Sequence, residues 1–367
     1  MNNKQSGFTL IELMLSLTLG LIITAAATLL FITGQRSAAM QQGVAELQDN
    51  ANFGLNYITK DIRMSNLNTR SAQINDETLY GGIVLTSAAS ADVVIDSSTS
   101  PATKKPTLPL GISINNALLS QSIGRQNVSV GTSPQWSGAS NITDTAGTAL
   151  LSDQLVIQFL PQYTLDNHGT PLDTSDDEYV GGFDCEGTEI RFSATENLRM
   201  YVQRYFLRRD NNTNSNETSP LALACDAGYY AIGATAAPTF VTAFGNAGQG
   251  DAGEIIVKRV DHFRVLLGVQ NDIAAAASTP ASTTHQYLSI KDYMALAAPR
   301  PRILSIQVGM LVRSTQSVGA ESVVKSDQEF TVLDQTVKVK TSTDSNKYIR
   351  QVVSQTVALR NAFGERE

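Results

Sequence analysis

The sequence predicts an α+β fold: a long N-terminal helix, with a membrane half and an amphipathic half, packed on an antiparallel β-sheet with long decorated loops. Three observations carry this. Residues 8–32 form an apolar run whose single charge is Glu12. An apolar stripe at helical spacing follows, and the first proline of the chain is Pro101. Beyond residue 66, short β-branched and aromatic runs alternate with stretches rich in Ser, Thr, Asn, Ala and Gly.

From Phe8 to Ile32 the run is 25 residues long. As a helix it measures roughly 37 Å, enough to cross a hydrocarbon layer of about 30 Å. A short polar leader with one lysine, Lys4, precedes it. A secretory signal peptide would use Ala25-Ala26-Ala27 as its cleavage site, but Glu12 would then interrupt its apolar core, and apolar residues continue to Ile32. A plain anchor fits the length and leaves Glu12 without a role, although a carboxylate inside a bilayer costs a few kcal/mol.

The residues Gly7-Phe8-Thr9-Leu10-Ile11-Glu12-Leu13 resemble the type IV prepilin cleavage motif. That resemblance implies cutting after Gly7 by a prepilin peptidase at the cytoplasmic face, methylation of the new amine on Phe8, and retention of the hydrophobic helix. Glu12 would be the fifth residue of the mature chain. An embedded carboxylate is tolerable when it meets a cation. In a filament that cation would be the terminal amine of a neighbouring subunit's Phe8, so Glu12 would dock subunits within the membrane; snorkelling to the interface is the structural alternative. The implied organisation is leader 1–7, transmembrane half-helix 8–32, amphipathic half-helix 33–66 and β-rich globular domain 67–367. The chain would be single-pass in the inner membrane, with its N-terminus cytoplasmic and its globular domain periplasmic, and would enter the pilus.

The second half of the helix is read from Met40, Val44, Leu47, Ala51, Leu55, Ile58 and Ile62, which recur at three- and four-residue steps. Strands are expected at Leu155–Leu160, Glu189–Phe192, Met200–Leu207, Glu254–Val260, Phe263–Val269, Ile303–Val312 and Gln351–Leu359, with a short helix near Ile290–Ala297. Loops are expected at Ser87–Ser100, Ser129–Thr148, Asn211–Ser219, Ala234–Gly253 and Ala274–Thr284.

Ser152–Ile157, Val260–Val269, Ile303–Ser314 and Thr356–Asn361 are similar to the spaced blocks of PilW-type minor pilins, themselves related to the J-type minor pseudopilins of type II secretion. With a length of 367 residues, this resemblance implies a minor subunit of the complex that primes pilus assembly, at or near the tip. Its partners would be other minor pilins and pilus subunits, the prepilin peptidase and a large tip adhesin. A J-type pseudopilin and a membrane-tethered adhesin or DNA-binding module are the alternatives.

Cys185 and Cys225 are the two cysteines. Outside the cytoplasm they are expected to pair, closing a loop of about 40 residues and stabilising the fold by roughly 4 kcal/mol; two free thiols are the alternative. Asp166, Asp173, Asp176, Asp177 and Glu178 offer oxygen ligands for Ca²⁺ but lack EF-hand spacing, and a solvated acidic loop is the preferred reading. The net charge of −7 gives no general support for phosphate binding, leaving only a small basic patch at Arg204, Arg208 and Arg209. Asp261-His262 is an acid–base pair on paper only, since adjacent strand residues face opposite ways. No nucleophile elbow, P-loop, zincin or dinucleotide motif occurs. The chain is therefore not expected to be an enzyme or to need a cofactor or metal.

Overall fold

The structure, a computed structural model, describes Gly7 and residues 9–87, 95–96, 103–104, 106–109, 119–124, 136, 138–212, 217, 220–233, 253–273, 282–317, 325, 327–340 and 347–363. Much of each expected loop lies outside these residues, as does Phe8.

Helix α1 runs unbroken over Leu10–Met64, 55 residues or roughly 82 Å. In chain order the strands are β1 (Ile95–Asp96), β2 (Thr103–Lys104), β3 (Ile142–Thr143), β4 (Leu155–Phe159), β5 (Thr164–Asp166), β6 (Glu178–Phe183), β7 (Glu189–Ser193), β8 (Arg199–Arg209), β9 (Leu221–Ala231), β10 (Glu254–Lys258), β11 (Val260–Ile273), β12 (Ser282–Ser289), β13 (Arg302–Arg313), β14 (Glu329–Val332), β15 (Gln335–Val339) and β16 (Arg350–Ala358). A short helix α2 (Ile290–Met294) lies between β12 and β13.

Two four-stranded antiparallel sheets dominate the described residues, in the orders β10-β9-β8-β4 and β12-β11-β13-β16. Each is interrupted by an excursion. The meander β5-β6-β7 leaves between β4 and β8, and the hairpin β14-β15, joined by β3, leaves between β13 and β16. The expected single sheet is thus divided into several. The run expected as one strand from Glu254 to Val260 breaks at Arg259, whose φ of 59° is left-handed; there the chain passes from the first sheet to the second.

Several loop expectations are corrected. Short strands lie inside Ser87–Ser100 (β1) and Ser129–Thr148 (β3), and β12 begins within Ala274–Thr284. Strand β9 was not expected at all. Its sequence LALACDAGYYA alternates poorly because it is buried on both faces, and alanine and glycine hide its β character.

The buried stripe of α1 comprises Leu47, Ala51, Leu55, Ile58 and Ile62. It shares one core with Val257 of β10, Val265 and Leu267 of β11, Ile306, Val308 and Met310 of β13, and Val357 of β16. Each large aliphatic side chain so covered contributes about 1.5–3 kcal/mol. Met40 and Val44 are only half-buried, so the stripe emerges from the domain there. A carboxylate enters this interface: Asp61 accepts a 2.6 Å hydrogen bond from the Tyr205 hydroxyl, and burial raises its pKa.

Buried ion pairs tie the pieces together. At the crossing between the sheets, Arg259 meets Asp210 and Glu217, Arg313 meets Glu217 and Asp261, and Arg350 meets Asp261 at 2.7 Å. Three guanidinium groups are balanced by three carboxylates. Removing one member would leave a buried charge unmatched, at a cost of roughly 3–5 kcal/mol.

Helix α1 passes close to β10 at Gly54, where an added Cβ would overlap Cγ2 of Val257. Gly54→Ala should therefore destabilise the protein by roughly 1–3 kcal/mol, despite alanine's better helix propensity. A lowered midpoint in thermal unfolding followed by circular dichroism would show this, and a raised midpoint would contradict it.

Candidate functional site in the exposed half of the first helix

From Leu10 to Ala39 every residue of α1 is exposed. Leu10, Ile11, Leu21, Ile22, Leu29, Leu30 and Phe31 each leave more than 60% of their surface uncovered. A soluble domain does not sustain such an apolar cylinder in water. The hydroxyls within it are turned inward along the helix. Ser16 and Thr18 donate to the carbonyls of Leu13 and Leu15 at 3.0 and 2.9 Å. Thr24, Thr28 and Thr33 donate to those of Gly20, Thr24 and Leu29 at 2.7–2.8 Å. Each polar group is thereby satisfied without water, as a hydrocarbon surrounding requires.

The helix begins with a capping box. Thr9 is the N-cap, with φ −76° and ψ 147°. Its Oγ1 accepts from the Glu12 N–H at 3.4 Å, while the Glu12 carboxylate accepts from the Thr9 N–H at 3.2 Å and from its hydroxyl at 2.9 Å. The carboxylate thus lies at the positive end of the helix dipole. This local role is written in the Thr-x-x-Glu spacing of Thr9 and Glu12 and was not among the sequence expectations. Gly7 is exposed, and a Cβ placed on it would meet nothing within 4 Å. No steric demand within the fold calls for glycine there.

The remaining expected groups separate. Cys185 and Cys225 form a disulfide, with Cα atoms 6.1 Å apart, linking the β6–β7 turn to β9. The Tyr57 hydroxyl of α1 donates to the Cys185 carbonyl at 2.8 Å. The proposed basic patch is corrected. Arg204 is buried against its register partner Asp226 at 2.7 Å, and Arg208 donates to the Gly253 carbonyl at 2.9 Å. Burial lowers the Arg204 pKa against the pull of Asp226. The acidic residues do not converge either. Asp166 and Glu178 bind Arg191 at 3.1 and 2.8 Å, Asp173 takes Ser175, and Asp176 takes Thr170. Among the described residues, no group of His, Cys, Asp and Glu is arranged to hold a metal ion.

Asp261 and His262 also part company, Asp261 to the arginines above and His262 to a different tie. Ser152 Oγ lies 3.1 Å from His262 Nδ1, and Gln335 Oε1 lies 3.1 Å from Nε2. Two residues along β11, Arg264 repeats the pattern, holding Asp153 at 3.2 Å and Asp334 at 2.7 Å. Both side chains clamp the segment before β4 to the β14–β15 turn. Burial raises the Asp153 pKa to about 7 against the opposing pull of Arg264.

Residues 229–361 match the family model of the type IV pilus-assembly protein W, PilW, and residues 2–28 match the prokaryotic N-terminal methylation motif. Curated proteins give no match. Among solved structures, the type IV-like pilin TTHA1219 from Thermus thermophilus is 12% identical with a TM-score of 0.23, covering 61% of this chain and 83% of its own. A likeness at that score carries no weight for the fold.

Burial lowers the His262 pKa to about 4, against an unfolded value near 6.5. Unfolding therefore takes up a proton between pH 6.5 and 4, and the stability that neutral His262 supplies is lost as pH falls through that window. The unfolding free-energy difference between wild type and His262→Gln should shrink by up to about 3 kcal/mol over it. A pH-independent difference in urea titrations would contradict this. The chain is thus type IV pilin-like, carrying an N-terminal methylation motif and a PilW-type domain, and it resembles the PilW-type minor pilins.

Proposed function

We propose that the chain is a minor subunit of a type IV pilus, acting in the complex that primes assembly, at or near the tip. The observation that carries this is the single helix, exposed and apolar from Leu10 to Ile32 and buried along one stripe from Leu47 to Ile62. Such a helix anchors a periplasmic domain in the inner membrane and, once extracted, packs with its equivalents in a filament. The PilW match, which runs from the end of β9 to just past β16, supports the minor-subunit assignment.

On this reading residues 1–7 are the leader, 8–32 the transmembrane half-helix, 33–66 its amphipathic continuation and 67–367 the globular domain. A prepilin peptidase cuts after Gly7 and methylates Phe8. The open surroundings of Gly7 support this, since the need for glycine then belongs to the enzyme. Glu12 meets the Phe8 amine of the adjacent subunit, and the other partners are minor pilins and a large tip adhesin.

Because Glu12 also caps its own helix, two substitutions separate its roles. Glu12→Gln retains an acceptor for the Thr9 N–H and removes the charge, whereas Glu12→Ala removes both. In a deletion strain scored for surface pili, loss of pili should be restored by the wild-type chain and not by either variant, with leader removal unchanged. Full rescue by Glu12→Gln would reduce Glu12 to a cap. Normal piliation after deletion would overturn the assignment.

A further inference from the structure

Below its apolar half, α1 turns a polar face to solvent, formed by Gln48, Asp49, Asn52, Asn56 and Lys60. Phe53 interrupts it. Its ring is 65% exposed and stacks on Tyr57 at 6.3 Å and 30°. Beside this pair a groove of about 250 Å³ opens between α1, the disulfide-bonded turn and β10. Phe53 and Tyr57 of α1 and Ile255 and Ile256 of β10 line it, and Glu186 and Glu254 supply its charge. No basic residue lines it among the described residues.

Glu186 is half-buried beside the like charges of Asp226, Asp184 and Glu254, with the guanidinium of Arg204 also within electrostatic reach. Burial, then Asp226, raise its pKa, with smaller contributions from Asp184 and Glu254, to about 7 against a hydrogen bond from the Ala227 backbone. Arg204 pairs with Asp226 at 2.7 Å and does not line the groove; of the two carboxylates that do, Glu186 is half-buried and Glu254 exposed, so Glu186 is the one a cation seated in the groove would meet. The lining is aromatic and aliphatic, its charge is negative, and the volume suits one long side chain. Lysine offers a compact, strongly hydrated charge; arginine offers a planar, weakly hydrated one that stacks on rings and forks onto carboxylates.

We propose that this groove receives an arginine side chain from a neighbouring subunit of the filament, its guanidinium flat against Phe53 and forked onto Glu186. The proposal rests on the filament-subunit reading above. It makes the disulfide a support for an interface: the bridge holds the Asp184–Thr188 turn, which carries Glu186, against β9.

The test places the photo-crosslinking residue benzoylphenylalanine at position 53 of the full-length chain in its own bacterium. The cross-linked peptide is then identified by mass spectrometry. The expected adduct is on another membrane-anchored subunit, within a few residues of an arginine. Its yield should fall at least tenfold with Glu186→Lys and severalfold with Glu186→Gln, with protein level and disulfide unchanged. Exchanging the partner arginine for glutamate should restore the yield in the Glu186→Lys background. No adduct, an adduct on lipid or on the same chain, an adduct remote from any arginine, or a yield indifferent to Glu186 would overturn the proposal. Failure here with pili lost on deletion would sink the groove alone; normal pili on deletion would sink the filament reading beneath it.

Discussion

Leu47, Ala51, Leu55, Ile58 and Ile62 lie against strands of both large sheets at once, because β10 belongs to one and β13 and β16 to the other. Without that stripe, neither sheet has a cover for the face it turns toward α1. The helix must therefore lie close, and that demand is sharp at Gly54, where the backbone approaches Val257 of β10 too nearly for a side chain. The same helix carries the apolar half outward, so the rigidity that organises the domain also fixes how the domain hangs from its anchor.

Apolar burial joins helix to sheets, but buried charge joins the sheets and their excursions to one another. Arg259 stands at the crossing with Asp210 and Glu217, and His262 and Arg264 pin the β14–β15 turn. Such ties contribute little net free energy compared with apolar packing, yet they tolerate few alternatives, since each displaced partner strands a charge. They suit a domain whose strands are joined by long excursions and could otherwise pair in several registers.

Much of this was legible beforehand where one period dominated. The stripe of α1, the aromatic and β-branched runs of β8 and β13 and the unusual placement of Glu12 could be read directly. What escaped depended on three dimensions. β9 is buried on both faces and rich in alanine, so no alternation marks it. β12 is polar throughout its exposed length and exists because β11 lends it hydrogen bonds. Arg204, Arg208 and Arg209 look alike in sequence, but the first is buried beside Asp226. The Thr9–Glu12 box is written in the Thr-x-x-Glu spacing, but the same carboxylate also stands as a charge in an apolar run, so one residue carries two readings.

That box bears on what the proposed proteolytic maturation would do. The hydrogen bonds that start the helix are made between Thr9 and Glu12, both downstream of Gly7. Removing the leader would leave them untouched. Maturation would then be an electrostatic event rather than a refolding one: a neutral peptide bond would give way to a cation one residue before the N-cap of a helix whose shape is already set. The subunit would leave the peptidase already in the form it keeps, distinguished from its precursor by a single new charge that a neighbour can recognise.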